Sequence, residues 1–282
     1  MILNRLRNYE TIRSKKGCFD IQIGLNKEGN VVSWHQYSTI PLENSESAIM
    51  YLQYAGIADR SYMKKFYNFE GSFRQLGIYS YNMILMEQVG NLHCQRLLSR
   101  PQGIQGSILE TEICGQATTP EEVRYTAKRL TIHEECGAKA ILIKSRKNGT
   151  WINPHYQPSL SSERNGKKML LLYKPSTSKK YDRKSVETID MNMIHKIMTA
   201  YIENFRNEGF KESEINKAQN MFEDSILESD EAFLVPPTQT PSIVDFLKTD
   251  EFMRRIITAS VGDIEKYEKH IRMIFTDLGI QR

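Results

Sequence analysis

The chain has 282 residues, 40% apolar and 26% charged, with 38 basic against 34 acidic side chains and a net charge of +4. That length suits one large or two ordinary domains, that balance excludes disordered and collagenous classes, and the four scattered cysteines, Cys18, Cys94, Cys114 and Cys136, are too few for a disulfide framework. The apolar runs, such as Ile141 to Ile143 and Met169 to Tyr173, are far shorter than the roughly 20 residues of a membrane-spanning helix.

The amino terminus carries Arg5, Arg7, Arg13, Lys15 and Lys16. It has no continuous apolar signal core, and Glu10 favours a short surface helix over a basic, amphipathic transit segment. From Cys18 to Thr39 a hairpin is expected: Phe19, Ile21 and Ile23 alternate with polar residues, Asn26 to Asn30 supplies turn chemistry, and Val31 to Tyr37 returns. Asn44 to Ala55, with Ile49, Tyr51 and Leu52 behind an Asn44 or Ser45 cap, reads as a helix, and so does Arg60 to Phe69. Between Gly71 and Arg100 the apolar residues fit either a helix over Met83 to Leu98 or a strand over Leu76 to Leu85.

Ser107 to Cys114 reads as a strand, and Thr119-Pro120-Glu121-Glu122 opens a helix with a capping box and a proline at the first position. Gly137 ends that helix, Ala138 to Ser145 is a short buried strand, and Asn148-Gly149 turns the chain into Thr150, Trp151 and Ile152. A further strand is expected from Lys168 to Lys174. The sequence thus predicts an α+β fold with a mixed or antiparallel sheet in its amino-terminal part.

Beyond residue 184 the pattern turns helical, with Val186, Ile189, Met193, Ile197, Tyr201 and Phe205 in one helix and Ile215, Ala218, Phe222 and Ile226 in the next. Pro236, Pro237 and Pro241 predict an extended hinge over 235–241. Two more helices, Ser242 to Ala259 and Gly262 to Leu278, follow it. Ile264, Tyr267, Ile271, Ile274 and Leu278 form the seam of a helix packed on another helix. The expected organisation is an α+β domain over 1–184 and a helical domain over 185–282.

Charge is unevenly spread. Residues 1–160 hold 19 basic and 14 acidic side chains, 161–184 hold eight and two, and 185–282 hold 11 and 18. A basic front half and an acidic back half point to a polyanion-facing surface on one side and protein contact or self-association, through the carboxy-terminal helices, on the other. The basic stretch is the leading candidate site. Arg164, Lys167, Lys168, Lys174, Lys179, Lys180, Arg183 and Lys184 can neutralise phosphates, and Tyr173 and Tyr181 can stack on bases. The competing reading is a solvated surface run. Arg60 to Phe69, continuing to Phe73 and Arg74, interleaves cations with aromatics, although Tyr62, Phe66 and Phe69 share a helical face that can simply be core.

Catalytic readings are weaker. Glu110 and Glu112, two apart on a strand, can hold a magnesium ion beside Lys144 in a phosphodiesterase, yet charges at period two also mark the solvent face of a sheet. Cys114, His133, Cys136 and His155 can surround zinc, but their spacing matches no standard knuckle. The chain has no phosphate-binding glycine loop, and Cys18, Cys94 and His93 form no nucleophile–base pair. The expectation is a nonenzymatic nucleic-acid-binding protein, cytoplasmic or nuclear, without cofactor or metal, RNA ahead of DNA for want of a major-groove module. A metal-dependent nuclease and a structural or adaptor subunit are the alternatives.

Overall fold

The computed structural model describes residues 17–26, 28–58, 60–67, 78–113, 119–159, 166–176, 182, 184–227, 229 and 231–240. Its first elements follow the expected hairpin. Strand β1 (Cys18–Leu25) pairs antiparallel with β2 (Val31–Pro41), Cys18 facing Thr39 and Ile23 facing Trp34.

The next segment departs from expectation. Residues read as a helix from Asn44 form strand β3 (Ser47–Ile57), antiparallel to β2, and Asn44 sits in the preceding turn with φ 49°. Its apolar run is continuous because both faces are buried. Ala48, Met50 and Leu52 enter one core while Ile49 and Tyr51 enter the other, and a strand covered on both sides loses the alternation that would reveal it. Helices α1 (Arg60–Tyr67) and α2 (Ile78–Arg96) follow, settling the ambiguous region in favour of a helix.

Strand β4 (Gly103–Thr111) runs parallel to β3. Helix α3 (Pro120–Glu135) then starts as its sequence dictates: Thr119 Oγ1 accepts from the Glu122 amide at 3.2 Å, and Glu122 Oε2 accepts from the Thr119 amide at 3.3 Å. Gly137, at φ 88°, closes it in a left-handed conformation that costs a residue without Cβ little. Strand β5 (Lys139–Lys144) turns at Asn148-Gly149 into β6 (Trp151–Ile152). The short strands β7 (Tyr156–Gln157) and β8 (Lys167–Lys168) pair with each other, and β9 (Leu170–Pro175) re-enters the sheet between β4 and β5.

Residues beyond 184 complete this same sheet. Strand β10 (Glu187–Ile189) pairs with β11 (Ala232–Val235), and β11 pairs with β5. Val186 and Ile189 therefore precede helix α4 (Met191–Asn207), whose cap is Asp190 Oδ1 accepting from the Asn192 amide at 3.0 Å. Helix α5 (Glu212–Leu227) follows.

The sheet order is β1-β2-β3-β4-β9-β5-β11-β10, with β6 added alongside β5. Helices α2 and α3 cover one face, where Met83, Met86 and Leu130 meet Met50, Leu109, Leu142 and Leu172. Helices α4 and α5 cover the other, where Ile197, Tyr201, Phe205 and Phe222 meet Ile49, Ile108, Ile141 and Leu171. The fold is α+β, a mixed sheet between two helical layers.

The described packing does not break at residue 184, since β10, β11, α4 and α5 share cores with strands from the amino-terminal half. Nor are residues 235–240 an extended hinge. Pro237 to Gln239 form a 3-10 turn, and Thr238 donates its amide to Glu134 Oε2 at 2.9 Å. Among the described residues no helix is long and apolar enough to cross a membrane. The expected helices over 242–259 and 262–278, and the basic amino-terminal 16 residues, lie outside the described residues.

Candidate nucleic-acid interface

Strand β9 divides the basic stretch. Its register, Leu170 opposite Thr111 and Pro175 opposite Gly106, sends it from the carboxyl end of β4 to the amino end, about 20 Å at a strand's rise per residue. Lys167 and Lys168 are exposed on β8 at the first end. Lys184 is exposed beyond the second, 3.3 Å from Glu134. The stretch is therefore two separate surfaces.

Contrary to expectation, Tyr173 and Lys174 are buried inside that strand. The Tyr173 ring lies in the core beneath α4, and its hydroxyl donates to the Gln105 carbonyl at 3.0 Å. Lys174, on the opposite face, is only 8% exposed and lies 3.5 Å from Glu87. Neither can reach a strand of nucleic acid. Arg164, Lys179, Lys180, Tyr181 and Arg183 lie outside the described residues.

Other cations join Lys167 and Lys168. Because β3 runs parallel to β4, the end of β3 at Ile57 lies at the same end of the sheet, and α1 begins there. On α1, Lys64, Lys65 and Phe66 are exposed, with Lys65 Nζ 4.9 Å from the Phe66 centroid and Tyr62 4.4 Å from Phe66. The Asn26 amide donates to the Tyr62 hydroxyl at 2.6 Å, tying α1 to the β1–β2 turn. Phe69, Phe73 and Arg74 lie outside the described residues.

Strand β5 pairs with β9 through Lys139 opposite Tyr173 and Ala140 opposite Leu172, so its last residue also reaches this end. Lys144, Arg146 and Lys147 are exposed there, Lys144 Nζ lying 5.9 Å from the Trp151 centroid. The described cations of two sequence candidates, Lys64 and Lys65 of the first and Lys167 and Lys168 of the second, thus lie at the same end as the β5–β6 turn. Glu28 and Glu231 interrupt the row.

The carboxylates proposed for magnesium separate. Glu110 does not lie on a solvent face: its side chain is 6% exposed beneath α4. His155 Nε2 is 2.7 Å from Glu110 Oε1, Gln157 donates to Oε2 at 2.8 Å, Tyr51 donates to Oε2 at 2.5 Å, and Tyr201 donates to Oε1. Burial pushes this carboxyl up, but the bonds from His155, Tyr201 and Tyr51 outweigh it and leave the group below its ordinary range. Glu112 follows the last residue of β4, so the alternation that paired it with Glu110 has ended. It takes Arg129 at 2.7 Å and Lys167 at 3.5 Å. Lys144 is on the opposite face from Glu110.

The zinc ligands separate as well. His133 belongs to α3 and His155 to the other side of the sheet, and Cys114 lies outside the described residues. Among the described residues no three His, Cys, Asp or Glu side chains gather as a metal requires. Glu110, His155, Tyr51 and Tyr201 carry acid–base chemistry in kind, but His155 and Tyr201 are fully buried, so the group acts here as an electrostatic anchor between β4, β7 and α4. Sequence reasoning placed Tyr201 in the helical core and missed its hydroxyl, which no local pattern reveals.

Comparison with known proteins finds no matching family model, no matching curated protein and no matching solved structure. The functional reading rests on geometry alone.

Proposed function

We propose that the protein binds nucleic acid without catalysis, single-stranded RNA ahead of DNA, at the end of the sheet where β3, β4 and β5 terminate. The observation that carries this is convergence: exposed Lys64 and Lys65 of α1, Lys144, Arg146 and Lys147 of the β5–β6 turn, and Lys167 and Lys168 of β8 share one end. Strand spacing puts β3 and β5 about 15 Å apart across three neighbouring pairs, enough for a backbone to contact several cations. Phe66, exposed beside Lys65, offers a stacking surface that accepts any base.

Fluorescence anisotropy with labelled single-stranded RNA and DNA, repeated over a salt series, tests the reading. The logarithm of the binding constant should fall linearly with the logarithm of salt, and Lys167→Ala with Lys168→Ala should flatten that slope by about one unit or more. Lys184→Ala, at the opposite end, should change little. Equal affinities for the wild type, the β8 double variant and a Lys64→Ala/Lys65→Ala variant overturn the proposal.

A further inference from the structure

Strands β1, β2 and β3 form one edge of the sheet, and the helical layer over them stops short. On β2, Gln36 donates its amide to Gln53 Oε1 at 2.7 Å, and Gln53 donates to Glu208 Oε1 at 2.6 Å. Glu208 caps the carboxyl end of α4, so the helix ends at this pair. Trp34, two residues before Gln36, points to the same face but lies beyond the helix, toward the β1–β2 turn. Its neighbours there are open to solvent: Tyr54 is 45% exposed, and Ile23, opposite Trp34 on β1, is 55% exposed.

This surface is shaped for a flat ligand. Gly56 stands opposite Trp34 on β3, and a Cβ there would collide with Nε1, Cδ1 and Cε2 of the indole. The ring therefore lies across its neighbour's backbone, a close approach that a side chain at position 56 would prevent. Tyr54, diagonal to it, keeps its ring within 25° of the indole plane with centroids 6.4 Å apart. Two nearly parallel rings, uncovered by a helix, are the composition of a platform on which bases stack.

The platform belongs to the cationic end. Trp34 is three residues from the start of β2 at Val31, about 10 Å at a strand's rise. Asn26, in the turn before it, holds the Tyr62 hydroxyl of α1, the helix that carries Lys64 and Lys65. Gly56 precedes the last residue of β3, from which the chain enters α1. Glu208, on the platform's inner border, accepts from Gln53 and from Asn204 at 2.9 Å, so its charge favours phosphates on the α1 side.

We infer that Trp34 and Tyr54 stack successive bases of a single strand whose phosphates lie on Lys64 and Lys65. This deepens the nucleic-acid reading and rests on it for the ligand, but stacking and charge neutralisation leave different signatures. A stacked ring releases no counterions, so its loss lowers affinity without changing the salt slope, whereas loss of lysines flattens that slope.

The full chain labelled with 5-fluorotryptophan has two fluorine resonances, from Trp34 and Trp151, the second assigned by Trp151→Phe. Titration with oligouridine of about 12 nucleotides should shift the Trp34 resonance saturably. Trp34→Ala and Tyr54→Ala should each weaken binding about tenfold at an unchanged salt slope, and Trp34→Phe and Tyr54→Phe, which keep a ring, about threefold or less. The wild-type titration needs no substitution, and Tyr54 is exposed enough for its alanine variant to fold. Oligouridine binding with an unmoved Trp34 resonance, or with either alanine variant as tight as wild type, overturns the inference and leaves the lysine surface standing. No binding of oligouridine at all overturns both. A Trp34 resonance that shifts with protein concentration and not with oligouridine assigns the rings to contact with a second copy of the chain and likewise overturns the inference.

Discussion

Beneath α4, Glu110 accepts from Tyr51, Tyr201 and Gln157 and pairs with His155, so a buried charge is surrounded by donors. Beneath α2 and α3, buried polar atoms of Gln22, His35, Asn82, Thr111 and His133 have no hydrogen-bond partner within the protein. One sheet thus separates a satisfied ionic network from an unsatisfied neutral one. Burying polar groups is tolerated when partners are supplied, so the first group is explained by folding and the second is not. Two orphans, Gln36 Oε1 and His155 Nδ1, show that the satisfied side is not perfect, but the His155 ring keeps its bond to Glu110.

The largest effect should come from breaking the satisfied side. Glu110→Leu leaves His155 and two tyrosine hydroxyls facing an apolar chain, and removing one partner of a buried pair costs about 3–5 kcal/mol. Urea denaturation should register that loss, with Glu110→Gln losing less because it keeps an acceptor. A loss under about 1 kcal/mol for Glu110→Leu would show that the network contributes little. Because the folded Glu110 carboxyl is held below its ordinary range, its contribution is present above the unfolded value and fades as pH falls through the folded one.

Acid sharpens the contrast from the other side. His35 and His133 are held at about 4 and about 3 in the folded protein, so between those values and the unfolded value near 6.5 the unfolded chain binds protons that the native one refuses. Stability therefore falls as pH drops from about 6.5, by about 1.4 kcal/mol per unit for each ring, and His35 alone accounts for about 3 kcal/mol by its folded value. Denaturation midpoints measured from pH 7 to pH 4 should show this slope, shallower in His35→Gln. An unchanged slope in that variant would place the acid sensitivity elsewhere.

Amide-to-leucine changes should have opposite signs on the two faces. Asn82→Leu removes a donor that has no partner and should stabilise by about 1 kcal/mol, since an unmade bond costs more than its absence. Gln157→Leu removes a bond to an ionised carboxylate at 2.8 Å and should destabilise by about 1–2 kcal/mol. Thermal melts of both variants check the pair, and a loss in Asn82→Leu would mean that the amide has a stabilising role in the unliganded protein.

Much of the fold was legible where its causes are local. The β1–β2 hairpin, the capping box of α3, the Gly137 stop and the Asn148-Gly149 turn each depend on residues within a few positions of one another. Strand β3 was not legible, because Ala48 to Leu52 is buried on both faces and a continuous apolar run fits a helix as well. Strands β10 and β11 were hidden for another reason: short segments beside long amphipathic helices acquire their structure only by pairing with β5 and each other. The site was legible in composition and not in layout. Lys167 and Tyr173 are six residues apart in sequence, yet one is exposed on β8 and the other lies in the core. Glu110 and His155, or Glu134 and Thr238, meet across long sequence separations that leave no spacing to read.

The smallest stability effect should come from the cations themselves. Lys167 and Lys168 project from β8, which belongs to neither core, and Lys167 reaches Glu112 only as an exposed pair at 3.5 Å. Such a pair contributes between nothing and about 1 kcal/mol, and Glu112 keeps Arg129 at 2.7 Å when the lysine is gone. The double alanine variant should therefore melt within about 0.5 kcal/mol of wild type while losing nucleic-acid affinity. That combination would separate binding from folding: the lysines would act on the phosphate backbone and not through either buried group. A substantial loss of stability would instead tie β8, through Glu112 and Arg129, to the packing of α3, and any loss of affinity would then have to be read as a structural change.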